Sequence, residues 1–411
     1  MISEVREVVS HDPSREVWKY LRLFLSVERT IERLRSIHNV PKGKHEANLK
    51  KQARQIGYCV RQAEQYFLAS EQVDLATRPL LLYYGSVALS AALVLMKRDG
   101  TFSLDAARRS GKHNHHGLDL DKGLAETAVR AKTVQDFFSA IQCRCYKSSG
   151  GTPAGHFPLV YECLQPSACI VHAEIHDHGR PTYVERDFPF PCADLQPLQK
   201  IADQPFSCWE LLRSLPDLYG SLTELGFRPT VHPGEASRHI VNHYASVPIS
   251  ATNDSAPTAN RPLEKVVEIH SFRINRLLDS EKKNLLSLCD KNPGIRLVDQ
   301  FPSNLYLELR VEAKAGEQQT LGYYPDIVED LYGRKYFIAQ PETYLAEPAS
   351  MLVIAYCLGM LSRYFPDVWM ATIDSRVEVV ELTNAVMNIL QRKFPNLILD
   401  QMTAVKHYIH T

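Results

Sequence analysis

Apolar residues in the first third of the chain recur three or four positions apart, which is the period of a helix with one buried face. Between Asp12 and Gly43, a cap, a proline and an early acid precede such a stripe, which ends at an Asn-Val-Pro break. A second stripe predicts a helix over about 46–68, and the nearly continuous apolar run from Pro79 to Met96 predicts a helix buried on all sides. The pattern therefore predicts an N-terminal helical bundle over residues 1–150.

After Cys145 the pattern changes to short runs in which apolar and polar residues alternate, the period of half-exposed strands. These runs include residues 159–163, 169–175 and 305–311. Gly and Pro separate them, and residues 209–219 predict a short inserted helix. We predict a β-rich middle region over residues 151–343. Within it, the polar stretch near 249–262 has the composition of a flexible excursion.

Helical spacing returns from Tyr344 and predicts a C-terminal helical segment over residues 344–411. Its two helices cannot hide their apolar faces from water by themselves, so we expect them to pack on the helix predicted at 79–96. The predicted fold class is α+β: an N-terminal helical bundle completed by C-terminal helices, with a β-rich middle region.

The composition of the chain limits which functions and which cellular location fit it. The 411-residue chain carries 47 Lys and Arg against 47 Asp and Glu, so it has no overall charge that attracts nucleic acid or an anionic membrane. The apolar run at 79–96 is interrupted by tyrosines and serines and falls short of the ~20 residues that span a bilayer, so no membrane partner is expected. The nine cysteines are an odd number and no secretory signal pattern opens the sequence, which favours a cytoplasmic location.

The run from Ala355 to Trp369 sets a single arginine, Arg363, beside Tyr364 at the end of an apolar helix. Arginine is rarely buried unless its guanidinium is paired. We therefore expect a structural role for Arg363, Tyr364 and Trp369, with Arg363 pairing a carboxylate or a helix C-terminal carbonyl of the N-terminal bundle. On this interpretation Arg363→Ala costs about 3–5 kcal/mol if the pair is fully buried. A guanidinium that faces a ligand is the alternative.

Five segments have an order and a spacing that are typical of one family. They are Arg78-Pro-Leu-Leu-Leu-Tyr-Tyr-Gly85, His116-Gly-Leu118, Val134-Gln-Asp-Phe-Phe138, Leu361-Ser-Arg-Tyr-Phe-Pro-Asp-Val-Trp369 and Phe394-Pro395. On these segments the chain resembles the YaaC-like proteins of bacteria over about residues 18–398, with a looser match between about 163 and 342. The resemblance implies a helical N-terminal bundle and a paired C-terminal helical segment, and it identifies no catalytic residues.

A basic segment after the third predicted helix combines arginines with histidines. Arg109 is followed by His113, His115 and His116, an arrangement that resembles the motif of the HEPN ribonucleases. The resemblance implies metal-independent RNA cleavage by Arg109 and His116, with His113 and His115 as alternatives. In such enzymes a histidine moves the proton of the ribose 2′-hydroxyl and an arginine stabilises the phosphate charge. Two glycines in the segment instead favour a basic surface loop whose His116 caps or hydrogen-bonds the bundle.

Cationic side chains are concentrated along the second predicted helix and the loop before it. Together with the basic segment they comprise Lys44, Lys50, Lys51, Arg54, Arg61, Arg108 and Lys112. A stripe of this kind would follow the phosphates of RNA or of a nucleotide. Aromatic residues interleaved for base stacking are limited to Tyr58 and Tyr66, so a solvated helix face is the competing interpretation.

Clusters of metal-ligating residues give no recognisable site. The histidines and the glutamate of residues 172–178 alternate along one predicted strand, but their spacing matches no metal motif and a turn follows them. Cys143 and Cys145 are too close for a redox pair of the usual spacing, and no nucleotide-binding glycine pattern occurs. We expect no metal and no cofactor.

Three functions from different classes fit these patterns. The preferred one is a non-enzymatic interaction component with the β-rich middle as the surface for a protein partner, and fold-level analogy suggests stress or anti-phage defence as its setting. The second is a metal-independent endoribonuclease. The third is binding of RNA or a nucleotide without cleavage. A dimer is compatible with all three, and the sequence leaves the oligomeric state open.

Overall fold

The structure is a computed structural model of the 411-residue chain. It describes residues 2, 4–98, 100, 102–109, 115–121, 123–177, 180–191, 195–244, 263–291, 295–300, 302–314, 326–338 and 345–411.

The elements follow one another in chain order. The first third contains β1 (Glu4–Val9), α1 (Pro13–Leu21), α2 (Val27–His38), α3 (Glu46–Ser70), α4 (Arg78–Met96), α5 (Leu104–Arg109), β2 (Leu118–Leu120), α6 (Leu124–Arg130), α7 (Val134–Ala140) and β3 (Gln142–Cys145). The middle contains α8 (His156–Tyr161), β4 (Ala168–Asp177), β5 (Arg180–Pro191), α9 (Leu198–Ala202), β6 (Pro205–Ser207), α10 (Cys208–Ser214), α11 (Tyr219–Glu224), β7 (Val231–Tyr244), β8 (Leu263–Ile274), α12 (Asp279–Lys291), β9 (Ile295–Gln300), β10 (Leu305–Lys314), β11 (Ile327–Glu329) and β12 (Lys335–Ile338). The last part contains α13 (Glu347–Tyr364), α14 (Pro366–Ser375), α15 (Val377–Thr403) and β13 (Val405–His410), and short 3-10 turns lie at Arg22–Leu25 and Pro216–Leu218.

These elements form two compact units. The helical unit comprises Met1–Ser167, Asp194–Thr230 and Glu342–Thr411, and the sheet unit comprises Ala168–Ala193 and Val231–Pro341. The predicted α+β class is confirmed, since helices precede and follow a middle that contains several strands. Residues 151–167 and 194–230, which the pattern places in the β-rich middle, cluster with the helical unit because α8 and α10 bury their apolar side chains in its core.

Helix α4 is the central element of the helical unit. By length and composition it could cross a membrane, as could α13 and α14 if counted together as one bent span, but 78% of the most apolar window of α4 is buried within the protein. A Cβ at Gly85 would lie 2.8 Å from the ring of Phe67, and one at Gly359 would lie 2.9 Å from Cβ of Tyr83. Glycine at these two positions therefore lets α3 and α13 approach α4 closely.

The C-terminal helices pack on the N-terminal ones, as their apolar faces predict. The indole nitrogen of Trp369, which is buried, donates to the carbonyl of Leu75 at 3.1 Å. Nη2 of Arg78 donates to Oδ1 of Asn388 on α15 at 2.9 Å. These bonds help to fix the register of the apolar contact, because they give the Trp369 indole and the Arg78 guanidinium defined partners across it.

A buried ion triad connects α13 and α15 to the segment between β6 and β7. Nζ of Lys393 lies 2.6 Å from Oδ2 of Asp217 and 2.5 Å from Oε1 of Glu347, and all three side chains are buried. One cation cannot neutralise two carboxylates. Burial and the charge of Asp217 therefore raise the pKa of Glu347 to about 7, against the opposing effect of Lys393.

The sheet unit is built on an eight-stranded sheet. Its strands follow the order β11-β12-β7-β8-β10-β9, and β4 pairs with both β5 and β7. The β7–β8 and β8–β10 pairs are antiparallel, whereas β4 runs parallel to β7. Its core contains Phe272 and Phe337, whose ring centres are 6.2 Å apart in an edge-on arrangement, together with residues of β4, β10 and α12.

Most predicted elements are present, but the structure differs from the prediction at several places. The stripe between residues 12 and 43 is divided into α1, a 3-10 turn and α2, because the Ser26 side chain caps a new helix there. Residues 159–163 were predicted as a strand, which is wrong: α8 is a helix at this point because burial of all six of its residues outweighs the β-propensity of Val160 and Tyr161. The pattern also missed β13, which pairs in parallel with β1. The predicted excursion near 249–262 lies outside the described residues.

Candidate functional site: a tyrosine–histidine pair, an arginine–tyrosine cluster and a cationic helix face

A hydrogen bond of 2.6 Å joins the hydroxyl of Tyr83, on α4, to Nδ1 of His116. Burial raises the pKa of the Tyr83 phenol well above its ordinary value. Burial also lowers the pKa of His116, and the nearby positive charge of Arg363 lowers it further. At pH 7 the phenol therefore keeps its proton and the imidazole is neutral.

We assign the tautomer of His116 from the hydrogen bond that its Nδ1 makes with Tyr83. Among the residues that the structure describes, Nδ1 of His116 is the hydrogen-bond partner of the Tyr83 hydroxyl, and a buried phenol donates its proton to such a partner. A neutral imidazole that accepts at Nδ1 carries its own proton at Nε2. In this arrangement Nε2 is a donor, so this tautomer has no unprotonated ring nitrogen that is free to accept the proton of a ribose 2′-hydroxyl.

The loop that carries His116 is held by the segment after β3. Two backbone hydrogen bonds, of 2.9 and 3.0 Å, run from the N–H groups of residues 156–157 to the carbonyls of residues 115–116. Gly117 and Gly155 have φ angles of 81° and 101°, and a Cβ on Gly155 would lie 2.6 Å from Cα of Gly117. Only glycine fits this crossing, so the two glycines fix the position of His116.

Helix α13 closes the other side of the imidazole. The ring centre of Tyr356 lies 5.5 Å from that of Tyr83 and 5.8 Å from that of His116. The Tyr356 hydroxyl donates to the carbonyl of Leu118 at 2.7 Å, which ties α13 to β2. His116 therefore hydrogen-bonds the bundle, as the surface-loop interpretation of its segment predicts.

Arg363 lies in the last turn of α13, with its side chain exposed. Its Nη1 donates to the hydroxyl of Tyr84, and its guanidinium carbon lies 6.0 Å from the ring centre of Tyr84 and 5.0 Å from that of Tyr364. The predicted pairing with a buried carboxylate or helix carbonyl is wrong, because α13 ends at the surface and tyrosines face the guanidinium. The cost of 3–5 kcal/mol expected for a buried pair does not apply to this exposed group.

Arg109, the predicted partner of His116, makes its ion pair elsewhere. Its Nη1 lies 3.4 Å from Oδ2 of Asp105, one turn earlier on α5, and Nζ of Lys51 lies 2.7 Å from the same oxygen. The hydrogen bond from Lys51 is the largest of the effects that lower the pKa of Asp105. Within the described ranges no contact joins Arg109 to His116. The arginine whose charge acts on His116 is Arg363, which sequence spacing could not indicate because it lies at the other end of the chain.

The other residues predicted in the basic segment have separate positions. The ring of His115 stacks on that of Tyr146, with centres 4.6 Å apart and planes at 21°. Arg108 is exposed, and its Nε donates to a backbone carbonyl one turn earlier at 3.3 Å. Lys112 and His113 lie outside the described residues.

A cationic face runs along the exposed side of α3. We call it the α3 stripe: Lys50, Arg54, Tyr58 and Arg61, which are spaced three or four residues apart and are all exposed. Tyr58 is 63% exposed. No acidic side chain pairs with the three cations among the described residues. Lys44, in the turn before α3, is exposed as well, whereas Lys51 is occupied by Asp105.

A second surface feature begins where α3 approaches α4 and α13. We call it the Arg363 cluster: Tyr66, Tyr84, Arg363 and Tyr364. The ring centres of Tyr66 and Tyr84 are 6.0 Å apart at 30°, and Tyr364 is 58% exposed. Tyr66 belongs to the same helix as the α3 stripe, one and a half turns beyond Arg61, so the two features share one helix.

Metal-ligating residues do not gather in the described part of the chain. No group of three or more His, Cys, Asp or Glu in it is arranged to hold a metal ion. Of the predicted histidine cluster, residues 172–176 lie on β4 and His178 lies outside the described residues. The seven cysteines whose side chains the structure describes are buried and form no disulfide, and burial raises the pKa of the Cys143 thiol well above its ordinary value.

The fold and these features define an α+β protein whose helical unit exposes arginine and tyrosine side chains beside an internally bonded tyrosine–histidine pair. A family model described as YaaC-like Protein matches residues 24–402, so the chain belongs to the YaaC-like family and the resemblance drawn from its segments is confirmed. No match was found among curated proteins or among solved structures. The resemblance to HEPN domains stays a prediction.

Proposed function

We propose that this YaaC-like protein is a non-enzymatic interaction component that binds single-stranded RNA on the α3 stripe and the Arg363 cluster without cleaving it. The observation that carries the proposal is the α3 stripe, in which three exposed cations flank the exposed Tyr58. Among the described residues, no acid is paired with any of these three cations. The proposal places the protein in the bacterial cytoplasm, which the buried free thiols support, and stress or anti-phage defence is its setting by analogy.

The chemistry of the two features fits a single strand. Lys50, Arg54 and Arg61 present charges to successive phosphates over about 16 Å of helix axis. Exposed tyrosines stack on unpaired bases regardless of sequence, and each stacked base is worth about 1–3 kcal/mol. A duplex keeps its bases stacked inside, so the exposure of Tyr58 and Tyr364 favours the single-stranded form.

The contacts of the predicted catalytic residues support binding without cleavage. The bond from Tyr83 leaves the His116 imidazole with its proton at Nε2, and Arg109 is paired with Asp105. Cleavage would need an unprotonated ring nitrogen to accept the 2′-hydroxyl proton and a guanidinium that can reach the phosphate. Arg363 has no acidic partner among the described residues, but the groups that face its guanidinium are tyrosines, which suit stacking.

The test is an anisotropy titration of a labelled 12-nucleotide oligouridylate without metal, at low salt. We expect Arg54→Gln, Tyr58→Ala and Arg363→Ala each to weaken binding, because they remove a phosphate contact, a stacking ring and the centre of the cluster. Arg15→Gln is the matched control, since Arg15 is an exposed arginine on α1 away from both features. Thermal melting should show all four variants folded like the parent protein.

The alternative functions predict other results when the same variants, together with His116→Ala and Arg109→Ala, are tested for RNA binding and cleavage. RNA cleavage that is lost in both His116→Ala and Arg109→Ala would replace the proposal with the endoribonuclease. Cleavage lost in His116→Ala and Arg363→Ala, but kept in Arg109→Ala, would assign the nuclease to the arginine that the structure brings near the imidazole. Absence of both binding and cleavage would contradict the RNA proposal.

A protein partner on the β-rich middle is the second candidate function. Strand β9 ends the strand order of the eight-stranded sheet, and Leu297 and Val298 on it are each 40% exposed. An edge strand with exposed apolar residues can receive a strand from another chain. Affinity capture from a bacterial lysate that a Val298→Lys variant abolishes, with the oligouridylate still bound, would support this function.

A further inference from the structure

A cavity of about 240 Å³ lies between the first two helices and the parallel pair of β1 and β13. Its wall includes Arg6, Tyr20, Arg29, Arg33, Thr403 and His407. All belong to the helical unit, and none belongs to the α3 stripe or to the Arg363 cluster. Neither the family match nor the proposed RNA surface gives this cavity a role.

Three arginines reach the cavity from two directions. Arg29 and Arg33 are four residues apart on α2, which places them on one face of that helix. Arg6 is the register partner of His407 across the parallel strands, so the two side chains point to the same side of the pair. Nη2 of Arg33 donates to the carbonyl of Thr403, which uses one of the five N–H donors of its guanidinium.

The aromatic part of the wall is stacked. The ring centres of Tyr20 and His407 are 5.3 Å apart, and the guanidinium carbon of Arg6 lies 6.0 Å from the Tyr20 ring centre. Phe24 and Leu399 add apolar surface. A ligand in the cavity would therefore meet an apolar wall on one side and guanidinium groups on the other.

The histidine of the cavity has a fixed orientation. Oδ1 of Asp400 lies 3.0 Å from Nδ1 of His407 and accepts the backbone N–H of the same residue at 2.8 Å. Because the carboxylate occupies Nδ1, the nitrogen of His407 left for a ligand is Nε2. Asp400 is itself buried behind the ring, with Nζ of Lys406 at 3.9 Å.

The acids near the cavity leave its arginines in excess. Glu4 lies 3.6 Å from Arg6, and both side chains are exposed. Glu7 is paired with His410 at 2.8 Å. Among the described residues neither Arg29 nor Arg33 is paired with an acid, so two guanidinium groups face the cavity without a carboxylate.

We propose that this cavity binds a small phosphate monoester that carries an apolar or aromatic group. A phosphate monoester carries a charge of about −1.5 to −2 at pH 7, whereas a carboxylate ligand carries a single negative charge. Two or three guanidinium groups therefore match the charge of a phosphate monoester better than that of a carboxylate. The stacked wall of Tyr20 takes the apolar group of the ester. The volume is below the ~300–1,000 Å³ of sites for drug-sized ligands, which restricts the ligand to a small molecule.

The test is isothermal titration calorimetry of the full chain with phenyl phosphate, inorganic phosphate and benzoate. We expect phenyl phosphate to bind most tightly, and Arg29→Gln to weaken it by about tenfold or more through loss of a charge-assisted hydrogen bond. Arg15→Gln, which removes an exposed arginine outside the cavity, and Arg54→Gln, on the α3 stripe, should leave this affinity unchanged. Arg6→Gln is a second cavity variant that lies on another element, so misfolding of one variant does not decide the result.

Each outcome has a defined meaning. Equal binding of phenyl phosphate and inorganic phosphate, weakened by Arg29→Gln, would support the phosphate site and identify free phosphate as its ligand. Benzoate binding as tight as that of phenyl phosphate would overturn the assignment of a phosphate. No binding of phenyl phosphate at about 10 mM, or binding that neither Arg29→Gln nor Arg6→Gln weakens, would overturn the site.

Discussion

Tyr83 donates a 2.6 Å hydrogen bond to Nδ1 of His116, and this bond joins α4 to the loop that carries the predicted catalytic histidine. The phenol is buried between the N-terminal helices and Tyr356 of α13. The bond therefore stabilises the place where the two ends of the chain meet. Removal of this bond should therefore lower the stability of the fold, and it should change RNA binding only through that loss of stability.

Tyr83→Phe keeps the ring and removes the hydroxyl. The partly buried Nδ1 of His116 then has no donor, and we expect the free energy of unfolding to fall by about 1–3 kcal/mol. Urea denaturation measures the change. Tyr58→Phe is the matched control, because Tyr58 is 63% exposed and its loss of a hydroxyl should cost little. Equal stability of Tyr83→Phe and the parent protein would contradict the assigned bond.

The lowered pKa of His116 predicts a pH dependence of stability. The unfolded chain binds this proton at the ordinary pKa of about 6.5, whereas the folded protein binds it only at lower pH because burial disfavours the charged ring. Stability from this group is therefore present above about pH 6.5 and declines as the pH falls toward the folded pKa. NMR titration of the His116 ring should give a pKa below 6.5, and His116→Gln should remove this part of the acid sensitivity. A folded pKa above 6.5 would reverse the sign.

The sequence predicts the helices better than the site, and the reason is the range of the interactions. The start of α1 at Asp12 and the apolar length of α4 are local signals, which a single segment contains in full. The approach of Arg363 to His116 depends on α13 packing on α4, and no spacing along the chain encodes it. The local spacing around Arg109 predicts that it acts with His116, whereas its ion pair in the structure is with Asp105, one helical turn earlier.

Two other features also depend on tertiary contacts that the local sequence does not reveal. Residues 159–163 have the composition of a strand, yet α8 is helical because tertiary burial decides. The cavity of Arg6, Arg29 and His407 combines three elements from opposite ends of the chain, and each of these residues taken alone reads as an ordinary surface or strand position. By contrast, the α3 stripe is predictable, because one helix displays it at a fixed period.

Glu347 gives a second pH dependence, of opposite sign. Burial raises its pKa to about 7 in the folded protein, above the ordinary value of about 4.3, so the folded state holds a proton that the unfolded chain releases. Stability from this group is complete below about pH 4 and is lost as the pH rises to about 7. Glu347→Gln imitates the protonated form. We expect it to gain up to about 3 kcal/mol over the parent protein between pH 4 and pH 8.

The control for that series is Glu378→Gln, which removes an exposed carboxylate near the start of α15. Its stability difference from the parent protein should stay flat over the same pH range in urea denaturation. If Glu347→Gln lost stability at pH 8, Lys393 would need the charge of Glu347 as well as that of Asp217, and the ordinary ionised form of Glu347 would be the folded one.

Trp369→Phe tests the packing of the C-terminal helices on the N-terminal bundle. The indole nitrogen donates to the carbonyl of Leu75 at 3.1 Å in a buried position. Phenylalanine leaves that carbonyl unpaired and vacates part of the indole volume, so we expect a loss of about 2–4 kcal/mol of unfolding free energy. Met370→Leu is the control, because Met370 is 43% exposed on the same helix. A melting temperature unchanged in Trp369→Phe would contradict the buried contact.

The proposed RNA surface predicts a defined salt dependence. Each phosphate that a cation neutralises on a single strand contributes about −0.7 to the slope of log K against log salt concentration. Lys50, Arg54 and Arg61 of the α3 stripe should together contribute about −2 to the slope for the oligouridylate. Arg54→Gln should reduce the slope by about 0.7, whereas Tyr58→Ala should weaken binding at every salt concentration and leave the slope unchanged. A slope that Arg54→Gln does not change would show that the phosphates of the strand lie away from the α3 stripe.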